Sequence, residues 1–134
     1  MENVAKQVKK LNFPKDKYLI VGGSALEMYG IRKAGDIDLM VTPDLFEKLK
    51  NKGWKTMEKH PGWITIQQDN LEITTDFCYG DYQPTPESLL KSAIFIDGLP
   101  VIDLHELVDY KKALGREKDI KDIELIKNYL SKSS

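Results

Sequence analysis

Asp36 and Asp38 stand one residue apart, shortly after the turn Gly22-Gly23-Ser24. Residues i and i+2 of a strand project to one face, so both carboxylates point together, framed by Ile37 and Leu39. Two adjacent carboxylates repel, and one tends to take up a proton unless a cation keeps both ionised. Mg²⁺ prefers oxygen ligands and commonly shares its shell with substrate phosphates and water. The pair therefore points to metal-assisted phosphate chemistry. A third carboxylate on a neighbouring strand would complete a two-metal site. Asp76, in the run Leu71 to Cys78, is the leading candidate. Alternation puts it with Glu72 and Thr74, opposite Ile73, Thr75 and Phe77. Glu72 is the second choice.

The glycine turn is the other half of such a site. Gly22 and Gly23 free the backbone for positive φ and for close approach of a ligand. A helix starting there offers unpaired N–H groups to an anion, and Ser24 adds a hydroxyl donor. Phosphate chemistry also needs cations near the leaving group. Arg32, Lys111, Arg116 and Lys118 are candidates. Each has the alternative of a solvated charge or of helix C-terminal compensation. Arg116 or Lys118 could instead pair with Asp119 or Asp122. Lys48, Lys50, Lys52, Lys55 and Lys59 gather positive charge before Trp63, which an RNA acceptor could use. A solvated helix face is the simpler reading. His60 and His105 lack metal-ligand spacing, and Cys78, Trp54 and Trp63 read as packing residues.

The elements that must position these residues follow from pattern. Val4, Val8 and Leu11 mark an amphipathic helix ending near Pro14. Tyr18 to Val21 is a buried strand stopped by Gly22-Gly23. Ser24 to Tyr29 suits a helix with Ser24 near its N-cap. Ile37 to Val41 is the second strand. Thr42-Pro43-Asp44 opens a helix to about Asn51. Trp54 to Met57, Trp63 to Gln67 and Leu71 to Cys78 read as strands, the last two joined at Asp69-Asn70. Thr85-Pro86-Glu87 starts a short helix. Ile94 to Ile96 and Val101-Ile102 form a hairpin around Asp97-Gly98. Asp103 and Glu106 have capping-box spacing before a helix that turns Leu104, Leu107, Val108 and Leu114 inward and ends at Gly115. A last helix places Ile120, Ile123, Ile126 and Leu130 on one face.

The chain has 134 residues, 41% hydrophobic and 31% charged, with a formal net charge of −1 and a pI near 6.1. This fits a single soluble domain over residues 1–134, with a core at about 18–80 and a C-terminal hairpin and helices at about 84–131. Overall charge gives no general nucleic-acid footprint, though a local patch is not excluded by it. No apolar run is long enough to span a bilayer. The single Cys78 and the absence of an apolar signal core in Met1 to Lys10 fit the cytoplasm.

The string Gly-Gly-Ser-Ala-Leu, Gly-Ile-Arg and Asp-Ile-Asp-Leu, from Gly22 to Leu39, resembles the nucleotidyltransferase superfamily that includes DNA polymerase β. The small bacterial members are the most similar, both the abortive-infection toxin type, with its link to toxin–antitoxin systems, and the antibiotic-modifying type. Their C-terminal segment resembles the tail from Asp103 to Ile123, and Lys111 matches a lysine of the toxin type. Ala34 and Gly35 depart from the family's Thr and Ser or Lys. The resemblance implies an α/β (α+β) fold with a mixed central sheet flanked by helices and a C-terminal helical segment. It implies an enzyme that moves a nucleoside monophosphate from a nucleoside triphosphate to an acceptor hydroxyl, releasing pyrophosphate. Asp36, Asp38 and Asp76 would hold two Mg²⁺ ions, with Mn²⁺ as a substitute. Gly22, Gly23, Ser24, Arg32 and Lys111 would hold the nucleotide. The acceptor would be a small molecule, a protein or RNA, and a homodimer would wall the cleft. The alternatives are a non-catalytic module of the same fold, such as an antitoxin-like partner, and a glycosyltransferase using Asp-x-Asp with a sugar nucleotide.

Overall fold

A computed structural model describes residues 3–76 and 78–133. The elements run α1 (Val4–Leu11), β1 (Tyr18–Ile20), α2 (Gly22–Met28), β2 (Ile37–Val41), α3 (Pro43–Asn51), β3 (Thr56–His60), β4 (Trp63–Gln68), β5 (Leu71–Thr74), α4 (Pro86–Lys91), β6 (Ile94–Ile96), β7 (Leu99–Val101), α5 (Leu104–Leu114) and α6 (Glu117–Ser133). The strands form one seven-stranded sheet in the order β3-β4-β5-β2-β1-β7-β6. The β1–β7 and β2–β5 pairs are parallel and the others antiparallel. The mixed α/β architecture expected from the sequence is therefore present.

Central strands are buried on both faces, so Leu19, Ile20, Leu39, Ile66 and Ile73 form the middle of the core, with Leu26, Leu107 and Ile126 packing on them from helices. Asn3 caps α1 by accepting from the Lys6 N–H at 2.9 Å. Glu27 ties α1 to α2, accepting from the Val4 N–H at 2.8 Å while its other oxygen accepts from Ala34 N–H at 2.9 Å. Thr85 and Ser88 close a reciprocal cap on α4. Asp97 and Gly98 both hold left-handed φ, 54° and 76°, the conformation a two-residue hairpin turn requires. No helix among the described residues is long and apolar enough to cross a membrane.

Several boundaries differ from the sequence pattern. The strand expected over 71–78 stops at Thr74. The Thr74 hydroxyl donates to the Asp76 carbonyl and accepts from the Asp76 N–H, and the Asp76 carboxylate accepts from the Cys78 N–H at 2.8 Å. These local side-chain bonds compete with the ladder and turn the chain away. Phe77, assigned a strand face above, lies outside the described residues. The third strand begins at Thr56 rather than Trp54, because Trp54 is held at the end of α3 by its N–H bond to Leu49 and by its ring against Phe13, centroids 5.9 Å apart. Helix α2 begins at Gly22, so Ser24 lies inside it rather than capping it. Asp103 caps α5 alone, accepting from the His105 N–H at 2.8 Å, because Glu106 accepts the Tyr82 hydroxyl at 2.6 Å. On α6, Ile120 is 56% exposed. Asp119 and Asp122 take the inward positions beside Ile123 and Ile126.

Candidate functional site

The site is built at the junction of β1, α2 and β2. The chain leaves β1 at Val21 and turns into α2 at Gly22, whose φ of +59° is a backbone state side chains disfavour. A Cβ on Gly22 would stand 2.9 Å from Oδ2 of Asp38, so the glycine is what lets the carboxylate lie against the turn. Both backbone groups of Asp38 are tied to this turn. Its carbonyl accepts from the Val21 N–H at 3.0 Å, and its N–H donates to the Ser24 Oγ at 2.9 Å. The Ser24 hydroxyl in turn donates to the Asp36 carbonyl at 2.8 Å, and Ser24 is 0% exposed. This hydroxyl, expected from the sequence to serve a phosphate, joins the Asp36–Asp38 segment to α2.

Register brings the next carboxylate. In the parallel β2–β5 pair, Asp38 stands opposite Glu72. Neighbouring strands lie about 4.8 Å apart, and paired residues share a face. Asp76 lies beyond the end of β5, on the turn described above, and is exposed. Of the two candidates that alternation put on one face, Glu72 is therefore the one opposite Asp38. Asp36 precedes β2 by one residue and is exposed.

Charge in the cleft is unbalanced. The Asp38 carboxyl is pushed up to about 6, first by burial and then by the charges of Glu72 and Asp36, against the pull of Lys59 and Lys111. Glu72 pairs with Lys59 Nζ at 2.7 Å. A largely buried carboxylate with two acidic neighbours is an oxygen donor set short of positive charge, and such a set fits a hard divalent cation. Among the described residues, no three His, Cys, Asp or Glu side chains stand close enough together to hold a metal ion as they are placed.

The candidate cations meet on α6. Arg32 makes a two-pronged pair with Asp122: Nε donates to Oδ1 and Nη2 to Oδ2, each at 2.9 Å. Its Nη1 and Nη2 both lie 3.4 Å from where a Gly23 Cβ would be. Lys111 is 6% exposed, with Nζ at 2.9 Å from Asp122 Oδ2 and 3.5 Å from Asp119 Oδ1. Arg116 pairs with Asp119 through Nε at 2.6 Å, as one of the alternatives in the sequence anticipated. Burial alone would raise the Asp122 carboxyl, but the bonds from Arg32 and Lys111 outweigh it and hold it at about 2. Tyr110 of α5 is raised chiefly by burial.

Of the residues expected from the sequence, the structure gathers Gly22, Gly23, Ser24, Arg32, Asp36 and Asp38 around one turn and ties Lys111 to Arg32 through Asp122; it leaves Asp76 beyond β5 and adds Glu72, Lys59, Asp119 and Asp122. The signal for the last two was available. Two acidic residues on the apolar stripe of a helix require buried cations opposite them.

No protein-family model matches the sequence, and no curated protein matches it. Among solved structures, the chain is similar in fold to ANT(2")-Ia, whose crystal structure holds adenylyl-2"-tobramycin. The TM-score is 0.55 at 17% identity, over 96% of this chain and 86% of that one. At that identity the likeness shows a shared nucleotidyltransferase-type fold.

Proposed function

We propose that this chain is a nucleotidyltransferase that binds a nucleoside triphosphate and moves its nucleoside monophosphate to an acceptor hydroxyl. The observation that carries this reading is the contact of the Asp38 carboxylate with the glycine turn, 2.9 Å from the place of a Gly22 Cβ. It sets a carboxylate directly against a glycine turn that a phosphate would approach. Asp36, Asp38 and Glu72 are the residues that would hold Mg²⁺. When bound, the ion supplies charge stabilisation at the phosphoryl oxygens. Gly22 and Gly23 admit the phosphates, and Arg32 adds positive charge beside them. The acceptor oxygen forms a bond to the α-phosphorus, and the bond from that phosphorus to pyrophosphate breaks. Glu72, opposite Asp38, would take the acceptor proton. A sugar hydroxyl, like that adenylylated in the fold neighbour, is one acceptor class; a protein or RNA hydroxyl is another. A second copy of the chain would wall the acceptor side.

A second reading is a nucleotide-binding module without transfer. It is favoured by the fact that no three acidic side chains converge as placed among the described residues. Incubation with Mg²⁺ and each α-labelled ribonucleoside triphosphate, with panels of aminoglycoside, protein and RNA acceptors, separates the two. Label transfer lost in Asp38→Ala supports the enzyme. Metal-dependent binding without transfer to any acceptor supports the module. No triphosphate binding at all defeats both.

A further inference from the structure

The contribution of α6 to the site runs through one carboxylate. Asp122 is almost wholly buried, yet it receives two cations from two different parts of the chain. Its two oxygens take the Arg32 fork at 2.9 Å each, and Oδ2 also takes Lys111 Nζ at 2.9 Å. Arg32 belongs to the segment between α2 and β2, Lys111 to α5 and Asp122 to α6. A fork-to-fork pair fixes the guanidinium plane as well as its position. The edge of that plane faces Gly23, with Nη1 and Nη2 both 3.4 Å and Cζ 3.8 Å from the place of its Cβ. Arg32 spends Nε and one Nη2 hydrogen on Asp122 and one Nη1 hydrogen on the Lys33 carbonyl at 3.1 Å. Of the five N–H bonds of a guanidinium, two thus remain without a partner among the described residues. They sit on the two nitrogens nearest the glycine turn. The Arg32 side chain keeps 37% of its surface exposed, while the Asp122 side chain keeps 7%.

Lys111 differs from Arg32 in this respect. Its ammonium is enclosed between Asp119 and Asp122 and shares the Asp122 carboxylate with Arg32.

We propose that Asp122 is a positioning residue for the triphosphate: it holds the Nη1–Nη2 edge of the Arg32 guanidinium toward Gly23, so that the two remaining N–H bonds receive a phosphate oxygen. This rests on the nucleotide reading above. Asp122 touches no substrate; it acts through Arg32. An arginine that is free to swing would bring the same charge without the fixed pair of donors, and lysine cannot make the fork.

The test is calorimetric binding of ATP, CTP, GTP and UTP with Mg²⁺ to wild type, Asp122→Asn, Arg32→Lys, Arg32→Ala and the double variant Asp122→Asn/Arg32→Ala, each with a melting curve. Asp122→Asn and Arg32→Lys are each expected to weaken binding of the preferred triphosphate about tenfold or more. In the Arg32→Ala background, Asp122→Asn is expected to add no further loss, which a merely structural role would not produce. Arg32→Lys leaves every buried carboxylate a cation, so it reports orientation even where Asp122→Asn fails to fold. Wild-type affinity in Arg32→Lys, or a full additional loss in the double variant, overturns the positioning role while leaving the nucleotide reading standing. Absence of triphosphate binding in wild type overturns the nucleotide reading, and the proposal with it.

Discussion

Replacing Asp38 by Asn should make the metal-free protein more stable at neutral pH. The folded Asp38 carboxyl titrates at about 6 against an ordinary value of 3.8, because burial and the charges of Glu72 and Asp36 oppose its ionisation. A raised acid binds its proton more tightly in the folded state than in the unfolded one. Its contribution to stability is complete below pH 3.8 and is lost as the pH rises through 6. Above that, the fold carries an ionised carboxylate at a cost of about 3 kcal/mol, the shift multiplied by about 1.4 kcal/mol per unit. Asn keeps the shape without the charge, so the variant should gain up to about 3 kcal/mol at pH 7.5, and this advantage should shrink by about 2 kcal/mol at pH 4. Urea denaturation in chelator at the two pH values reads both numbers, with equal slopes showing that the unfolded state is unchanged. A variant no more stable than wild type at pH 7.5, or equally favoured at both pH values, would refute the account of an acidic cluster lacking its cation.

Other substitutions probe the scaffold. Gly22→Ala should cost about 1–2 kcal/mol from the left-handed backbone alone. It should also dislodge Asp38, whose Oδ2 lies 2.9 Å from the new methyl, and so weaken triphosphate binding; melting and calorimetry report the two effects separately. Ser24→Ala strands the buried Asp38 N–H and should cost about 1–3 kcal/mol in urea. Asp119→Ala removes the fully buried acceptor of Lys111 and Arg116 and should cost about 3–5 kcal/mol; a loss below about 1 kcal/mol would show the buried ion network to be inert.

The glycine turn and Asp36–Asp38 were legible because strand, turn, helix and strand are all local patterns, each carried by its own punctuation. Which acidic residue of β5 stands opposite Asp38 was not. Choosing between Glu72 and Asp76 needs the inter-strand register and the end of β5, and these are set by β2 and by the hydrogen bonds of Thr74 and Asp76. Alternation puts both residues on one face and is silent on which of them meets Asp38. Helical periodicity likewise recruited Ile120 to the core and passed over Asp119 and Asp122, because an apolar scale assigns carboxylates outward. Their burial depends on Lys111 and Arg32, which no spacing rule links to α6. Ser24 lies one turn deeper in α2 than the N-cap expected of it, because the helix starts at Gly22, and its hydroxyl bonds Asp38 on β2 and Asp36 just before it.

The most direct measurement of the central claim is Mg²⁺-dependent triphosphate binding in wild type, Asp38→Asn, Glu72→Gln and Asp76→Asn. The account predicts binding in wild type that chelator abolishes, loss in Asp38→Asn and Glu72→Gln, and retention in Asp76→Asn, because Glu72 is the residue opposite Asp38. Binding that survives in Glu72→Gln but fails in Asp76→Asn, or that ignores the metal, would contradict it.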